Sequence, residues 1–142
     1  AAGPADIIKG MAKIQTQTTS GTFTFGQHGL VAALNGDQAC VEEMRQEFER
    51  RAEHIHTRLN ALDGVSCPRP AGAFYVFPDV SGTFAKLGVS GSIEFAQRLL
   101  EDSHVAVVPG EAFGVDSGVR LSFATSMEMI DKGLDRLESF LA

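Results

Sequence analysis

Val119-Arg120-Leu121-Ser122-Phe123-Ala124 is the stretch on which the fold turns. Val119, Leu121 and Phe123 alternate with Arg120, Ser122 and Ala124, the period of a strand with one apolar face. A guanidinium is costly to bury without an anion, and its planar fork matches a carboxylate through two parallel hydrogen bonds. Arg120 is therefore the candidate holder of a carboxylate, either one fixed in the protein or one brought by a ligand. The alternative is an arginine on a solvated strand face, paired with a surface Asp or Glu.

The surroundings of this strand predict a small α+β unit. Upstream lies the Gly-rich loop Pro109-Gly110-Glu111-Ala112-Phe113-Gly114, and before it a buried-type strand over 105–108. Downstream, Met127, Ile130, Leu134, Leu137 and Leu141 mark the inner face of a last helix, which Ser126 caps. Ala73-Phe74-Tyr75-Val76-Phe77 reads as a strand stopped by Pro78, and Val65-Ser66-Cys67 as a shorter one closed by Pro68 and Pro70. A loop with Gly82, Gly88 and Gly91 leads to a helix over 92–102. The order after Gly64 is strand, strand, helix, strand, strand, helix, a short mixed or antiparallel sheet with helices on one side.

The earlier residues are helical. Residues 5–11 form a short helical pattern with Asp6 in its first turn. The hydroxyl-rich connector over 16–24 is expected to be irregular, because Thr and Ser side chains compete for backbone hydrogen bonds. A helix over 24–34 stops at Asn35-Gly36. Asp37 then opens the longest helix, over 37–62, whose Val41, Met44, Phe48, Ala52, Ile55, Leu59 and Leu62 recur at steps of three and four. Glu42, Glu43, Gln46, Glu49, Arg50 and Glu53 take the opposite face. His54 and His56 read as ordinary surface residues of that helix, and His28 and His104 have no evident partners. With no initiator Met, the chain reads as a piece of something longer.

Composition narrows the classes. Of 142 residues, 44% are hydrophobic and 21% charged, the balance of an ordinary globular chain. Twelve Lys and Arg against 18 Asp and Glu give a formal charge of −6, which argues against a nucleic-acid surface. No apolar run reaches membrane-spanning length and no secretory signal opens the chain, so no membrane association is expected. Cys40 and Cys67 lack partners at metal-ligand spacing; no metal and no disulfide framework is expected, and the cytoplasm is the expected compartment. There is no Gly-x-Ser-x-Gly, P-loop or dinucleotide motif. Lys9, Lys13, Lys86 and Lys132 sit in polar faces or a loop, without the apolar surroundings that would lower a lysine pKa. No catalytic residue is expected within the chain.

The succession Gly72-Ala73-Phe74-Tyr75-Val76-Phe77-Pro78, Val105-Ala106-Val107-Val108-Pro109-Gly110 with Phe113-Gly114, and Val119-Arg120-Leu121-Ser122-Phe123-Ala124 resembles the carboxy-terminal part of class-I/II, fold-type I aminotransferases dependent on pyridoxal phosphate. The bacterial aspartate aminotransferase group fits best. The resemblance covers the whole chain. It implies that residues 1–36 are the tail of a large cofactor domain, 37–62 an interdomain helix and 63–142 the small domain. It implies a homodimer acting on amino-acid and 2-oxo-acid substrates, with Arg120 on the substrate α-carboxylate. The cofactor lysine, the other cofactor ligands and the side-chain specificity residues would lie outside these residues. The isolated chain would then hold no cofactor and be inactive. Where the resemblance implies Ser-Asn-Pro in the connector, this chain has Ser20-Gly21-Thr22, and Thr19 and Ser20 become candidates for a loop near the neighbouring subunit's cofactor.

Three alternatives stay open at this level. The parent could be a transcription regulator with an aminotransferase-like domain, or an aminotransferase for aromatic amino acids or alanine. The chain could also be a structural or dimerisation module that self-associates through the apolar faces of residues 7–34.

Overall fold

The computed structural model describes all 142 residues, Ala1–Ala142, which divide into two compact units, Ala1–Cys40 and Val41–Ala142.

The first unit is helical. Helix α1, Ala5–Thr18, is longer than the hydroxyl-rich connector predicts. The Thr16 and Thr18 hydroxyls donate to the carbonyls of Ala12 and Ile14 at 2.7 and 3.0 Å, so they join the helix instead of interrupting it. The irregular part shrinks to residues 19–23, where Ser20 adopts a left-handed φ of 63°. Helix α2, Thr24–Asn35, ends where Asn35-Gly36 predicts. Neither helix has a buried residue.

Helix α3, Ala39–Asn60, begins where Asp37 Oδ1 accepts a hydrogen bond from the Ala39 N–H at 2.9 Å. Within the second unit its polar face is laced by Glu42–Arg45–Glu49 and by Glu47 with Arg50 and Arg51. The apolar stripe is buried only in its later part. Ile55 and Leu59 enter the core and Phe48 and Ala52 pack at its edge, whereas Val41 and Met44 stay exposed.

The sheet has three antiparallel strands in the order β1 (Tyr75–Val76), β3 (Val119–Ser122), β2 (Val108–Pro109). Each is shorter than the sequence suggests. The expected strand at Val65-Ser66-Cys67 reduces to one bridge, Ser66 to Asp79. Pro68 has no N–H to continue it, and the Asn60 amide takes both backbone groups of Cys67 at 2.9 and 3.0 Å. At the start of β1 the positive φ of Ala73, 58°, turns the chain, and Pro78 ends the strand. The stretch before β2 is half-exposed rather than buried, and only its last residue, Val108, joins Pro109 in the ladder.

Val119 and Phe123 lie in the core at 1% exposure, as the alternation predicts. Helix α5, Ser92–Ser103, contributes Phe95, Ala96 and Leu99 to the core, while Ile93 and Leu100 remain exposed. The glycine-containing loop before it holds a 3-10 turn, Ser81–Thr83, and one turn of helix α4, Phe84–Leu87. Helix α6, Met127–Leu141, buries Ile130, Leu134, Leu137 and Leu141, and the Ser126 side chain caps it by accepting from Met129 N. The carbonyl of its last residue, Leu141, and the backbone oxygen of Ala142 just beyond accept from Lys86 Nζ at 2.6 and 2.7 Å, the favourable polarity at a helix C-terminus.

His54 is not an ordinary surface residue. Its Nε2 lies 2.5 Å from Asp131 Oδ1, and one turn on Arg58 reaches Asp135 and Glu138 at 2.8 and 3.2 Å. These contacts fasten α3 to α6. His104 has a structural place too: it ends α5 in the left-handed region, φ 56°, and its carbonyl accepts from Arg136. His56 is half-buried, with Nδ1 enclosed and unpaired, and His28 is exposed.

Candidate functional site: an unpaired guanidinium on the open sheet face

Strand register assigns the two faces. Tyr75 stands opposite Ser122 and Val108 opposite Arg120, so these residues share the face away from the core. Val76, Leu121, Val119 and Phe123 take the other, which the helices cover. Around Arg120 the open face is aromatic: Tyr75 and Phe113 are 37% and 48% exposed, and Phe74 packs 4.5 Å from Tyr75, centroid to centroid.

Arg120 itself is half-buried. Its Cζ lies 4.5 Å from the Tyr75 ring centroid and 4.9 Å from that of Phe113. Both distances are within cation–π range, and the two rings remove water from the guanidinium. No side chain of this chain supplies the anion. Arg45, Arg50, Arg51, Arg58, Arg69 and Arg98 each pair with a carboxylate, and Arg136 donates to the His104 carbonyl. Arg120 alone among the arginines has neither ion pair nor hydrogen bond. The solvated, acid-paired alternative is thereby excluded within this chain.

Phe113 reaches Arg120 because of the turn that carries it. Residues Gly110–Phe113 form a 3-10 turn closed by Gly114 at φ 77°, a conformation that suits glycine. Gly110 is buried, and a Cβ there would run into the carbonyl oxygens of Val115 and Gly118. The turn is tied to the start of α5 through a buried serine. Ser92 donates from N and Oγ to Asp116 Oδ1 at 2.8 and 2.7 Å, and its Oγ accepts from Glu111 N at 3.0 Å. The Ser92 hydroxyl, followed by the Ser92 N–H, holds the Asp116 carboxyl below its ordinary value of 3.8. Phe77 meets Phe113 edge-on at 5.8 Å and backs it.

The other sequence candidates fall elsewhere. Thr19 and Ser20 belong to the first unit, in the exposed turn between α1 and α2, whereas Arg120 belongs to the second. All four lysines are exposed, and Lys86 is taken by the end of α6. The aromatic pair around Arg120 and the Ser92–Asp116 tie escape sequence reasoning. The available signal was the register itself: once β1 pairs with β3, Tyr75 must share the Arg120 face.

The second unit is thus a small α+β domain with one helix-covered face and one open face, and the open face carries an unpaired arginine. The family model for aminotransferase class I and II matches residues 1–137, and the chain belongs to that family. An aspartate aminotransferase of Bacillus sp. (strain YM-2) is 43% identical over 141 residues, covering 99% of this chain and 36% of that protein. The crystal structure of the aspartate aminotransferase from Rhizobium meliloti superposes with a TM-score of 0.91 at 40% identity, over 99% of this chain and 36% of that one. The aromatic aminotransferase from Pyrococcus horikoshii gives 0.87 at 37% identity, over 99% and 37%. The chain thus spans little more than a third of the relatives it matches. No helix in it is long and apolar enough to cross a membrane.

Proposed function

We propose that these residues are one part of a longer, homodimeric aminotransferase that moves an amino group between an amino acid, aspartate foremost, and a 2-oxo acid. In this reading Arg120 binds the substrate α-carboxylate. The observation that carries it is the single arginine with neither an ion pair nor a hydrogen bond, in contact with two rings on a face the chain itself leaves open. A carboxylate arriving there would meet a partly desolvated donor fork, where charge-assisted hydrogen bonds are strong and directional. Two parallel bonds fix the orientation of the carboxylate, and with it the direction of the adjacent Cα–H bond. The role is positioning, not proton transfer, because an arginine does not give up its proton at ordinary pH.

The family implies pyridoxal phosphate, and the residues present do not fit it. A cofactor aldehyde needs a lysine in a sheltered, apolar setting, and Lys9, Lys13, Lys86 and Lys132 are all exposed. Cofactor binding is accordingly assigned to the remainder of the longer protein, and the 142 residues alone are expected neither to bind it stoichiometrically nor to transaminate. In the same reading residues 1–36 are the tail of the cofactor domain, residues 37–62 connect the domains, residues 63–142 form the small domain, and Thr19 and Ser20 face the neighbouring subunit. The relatives described above are all named as aminotransferases, which favours catalysis over a regulator's ligand-sensing domain. Two of the three act on aspartate by name and are also the more similar, which favours aspartate over aromatic substrates.

The test is Arg120→Lys in the full-length enzyme. Lysine keeps the charge and loses the fork, so kcat/KM should fall about tenfold to a hundredfold for both the amino acid and the 2-oxo acid. Unchanged kinetics with both substrates would remove Arg120 from the site.

A further inference from the structure

We infer that Phe113 is a positioning residue for the substrate carboxylate: it acts through Arg120, holding the guanidinium plane against Tyr75, and is itself set by the Ser92–Asp116 tie. The inference rests on the reading of Arg120 given above. An arginine side chain has four rotatable bonds, and one that awaits a ligand with no protein acid to hold it must be ordered by other means. Here the means are two rings, with Cζ 4.5 Å from Tyr75 and 4.9 Å from Phe113. Contact with both rings restricts rotation of the guanidinium, while its N–H groups, which no group of this chain engages, stay free to donate. That is preorganisation: the entropy of ordering the fork is lost on folding and not again on binding.

Nearly half of the Phe113 surface is exposed, so it is not held by burial in a core. Its place is instead over-determined. Ser92 is fully buried with Oγ donating to Asp116 and accepting from Glu111 N, which pins the turn on both sides of Phe113. The edge-on contact with Phe77 fixes the ring from behind. A side chain that were merely filling space would not need this bracing on an open face.

The experiment is steady-state kinetics of the full-length enzyme with four variants, Phe113→Leu, Phe113→Tyr, Arg120→Lys and the double variant Phe113→Leu with Arg120→Lys. The melting temperature of each is taken as a check on folding. Phe113→Leu should raise KM for both the amino acid and the 2-oxo acid about fivefold, with kcat within about twofold. Phe113→Tyr keeps the ring face and should restore KM to within about twofold of the parent. In the Arg120→Lys background, Phe113→Leu should add less than about a twofold change, because an ammonium has no plane to orient. Unchanged KM in Phe113→Leu while Arg120→Lys is impaired would overturn the inference and leave the reading of Arg120 standing. Multiplicative effects in the double variant would also overturn it, since Phe113 would then act independently of Arg120. Wild-type kinetics in Arg120→Lys would overturn both.

Discussion

The two units of the chain treat their apolar residues in opposite ways. Residues 41–142 enclose a core in which Leu59, Phe95, Leu99 and Val80 have no exposed surface. In residues 1–40, Ile7, Met11, Ile14, Phe25, Leu30 and Leu34 are all at least half exposed, and no residue of α1 or α2 is buried. Helices of 14 and 12 residues are marginal in water on propensity alone. The share of apolar residues does not separate the two regions; whether a core is closed does. The second unit closes its own core and leaves the sheet face that carries Arg120 open, along with scattered apolar residues such as Val41, Met44, Ile93 and Leu100. The first carries apolar faces that nothing in its own unit covers.

That contrast can be broken by substitution. The largest effect is expected in the second unit: Phe95→Ala should destabilise the chain by about 3–5 kcal/mol, through lost burial and the cavity left behind. Phe25→Ala in the first unit should stay within about 0.5 kcal/mol, as a surface change does. Urea unfolding followed by circular dichroism reads both, and equal losses would show that the two units share one core. Next in size is association. Sedimentation of the 142-residue chain should show its mass rising with concentration, and Ile14→Glu with Leu34→Glu should abolish the rise, since both replace exposed apolar side chains. A chain that stays monomeric at every concentration would contradict the unpartnered reading of α1 and α2.

A smaller effect concerns the tie that sets Phe113. Hydrogen bonds from Ser92 depress the Asp116 carboxyl in the folded state. A group depressed on folding contributes fully above its ordinary value and loses that contribution as the pH falls through the lower folded value. The stability difference between the parent and Asp116→Ala should therefore be constant above about pH 5 and shrink steadily below about pH 4. A difference that does not change with pH would mean that the Asp116 charge plays no part in the tie. The smallest effect belongs to the exposed pairs of α3. Arg45 holds Glu42 down to about 2, yet both side chains are more than half exposed. Arg45→Ala should cost no more than a surface substitution, and a large loss would mark a network that extends beyond this chain.

Much of this was legible in the sequence, for reasons that depend on range. The buried side of β3 follows from a period of two over a few residues, and the inner face of α6 from steps of three and four; both signals are local. The Ser126 cap is equally local. The length of the strands was not legible, because Asn60 replaces a neighbouring strand at Cys67 and prolines remove donors at the strand ends. The α1 boundary failed because Thr16 and Thr18 can bond backward along a helix as readily as they can break one. The His54–Asp131 contact joins residues 77 positions apart, and no local pattern reports such a separation. At the site, the alternation singled out Arg120, while its two rings come from β1 and from the turn before β3. Their meeting is a consequence of pairing between distant strands, not of any motif.

The central claim is that the Arg120 guanidinium receives a carboxylate from a ligand. Its most direct test follows the side-chain Nε–H resonance of Arg120 in the full-length enzyme, assigned by its loss in Arg120→Lys, while a 2-oxo acid substrate is titrated in. The account predicts a shift of that resonance that saturates together with substrate binding. A resonance that stays in place while the enzyme becomes fully occupied would contradict it.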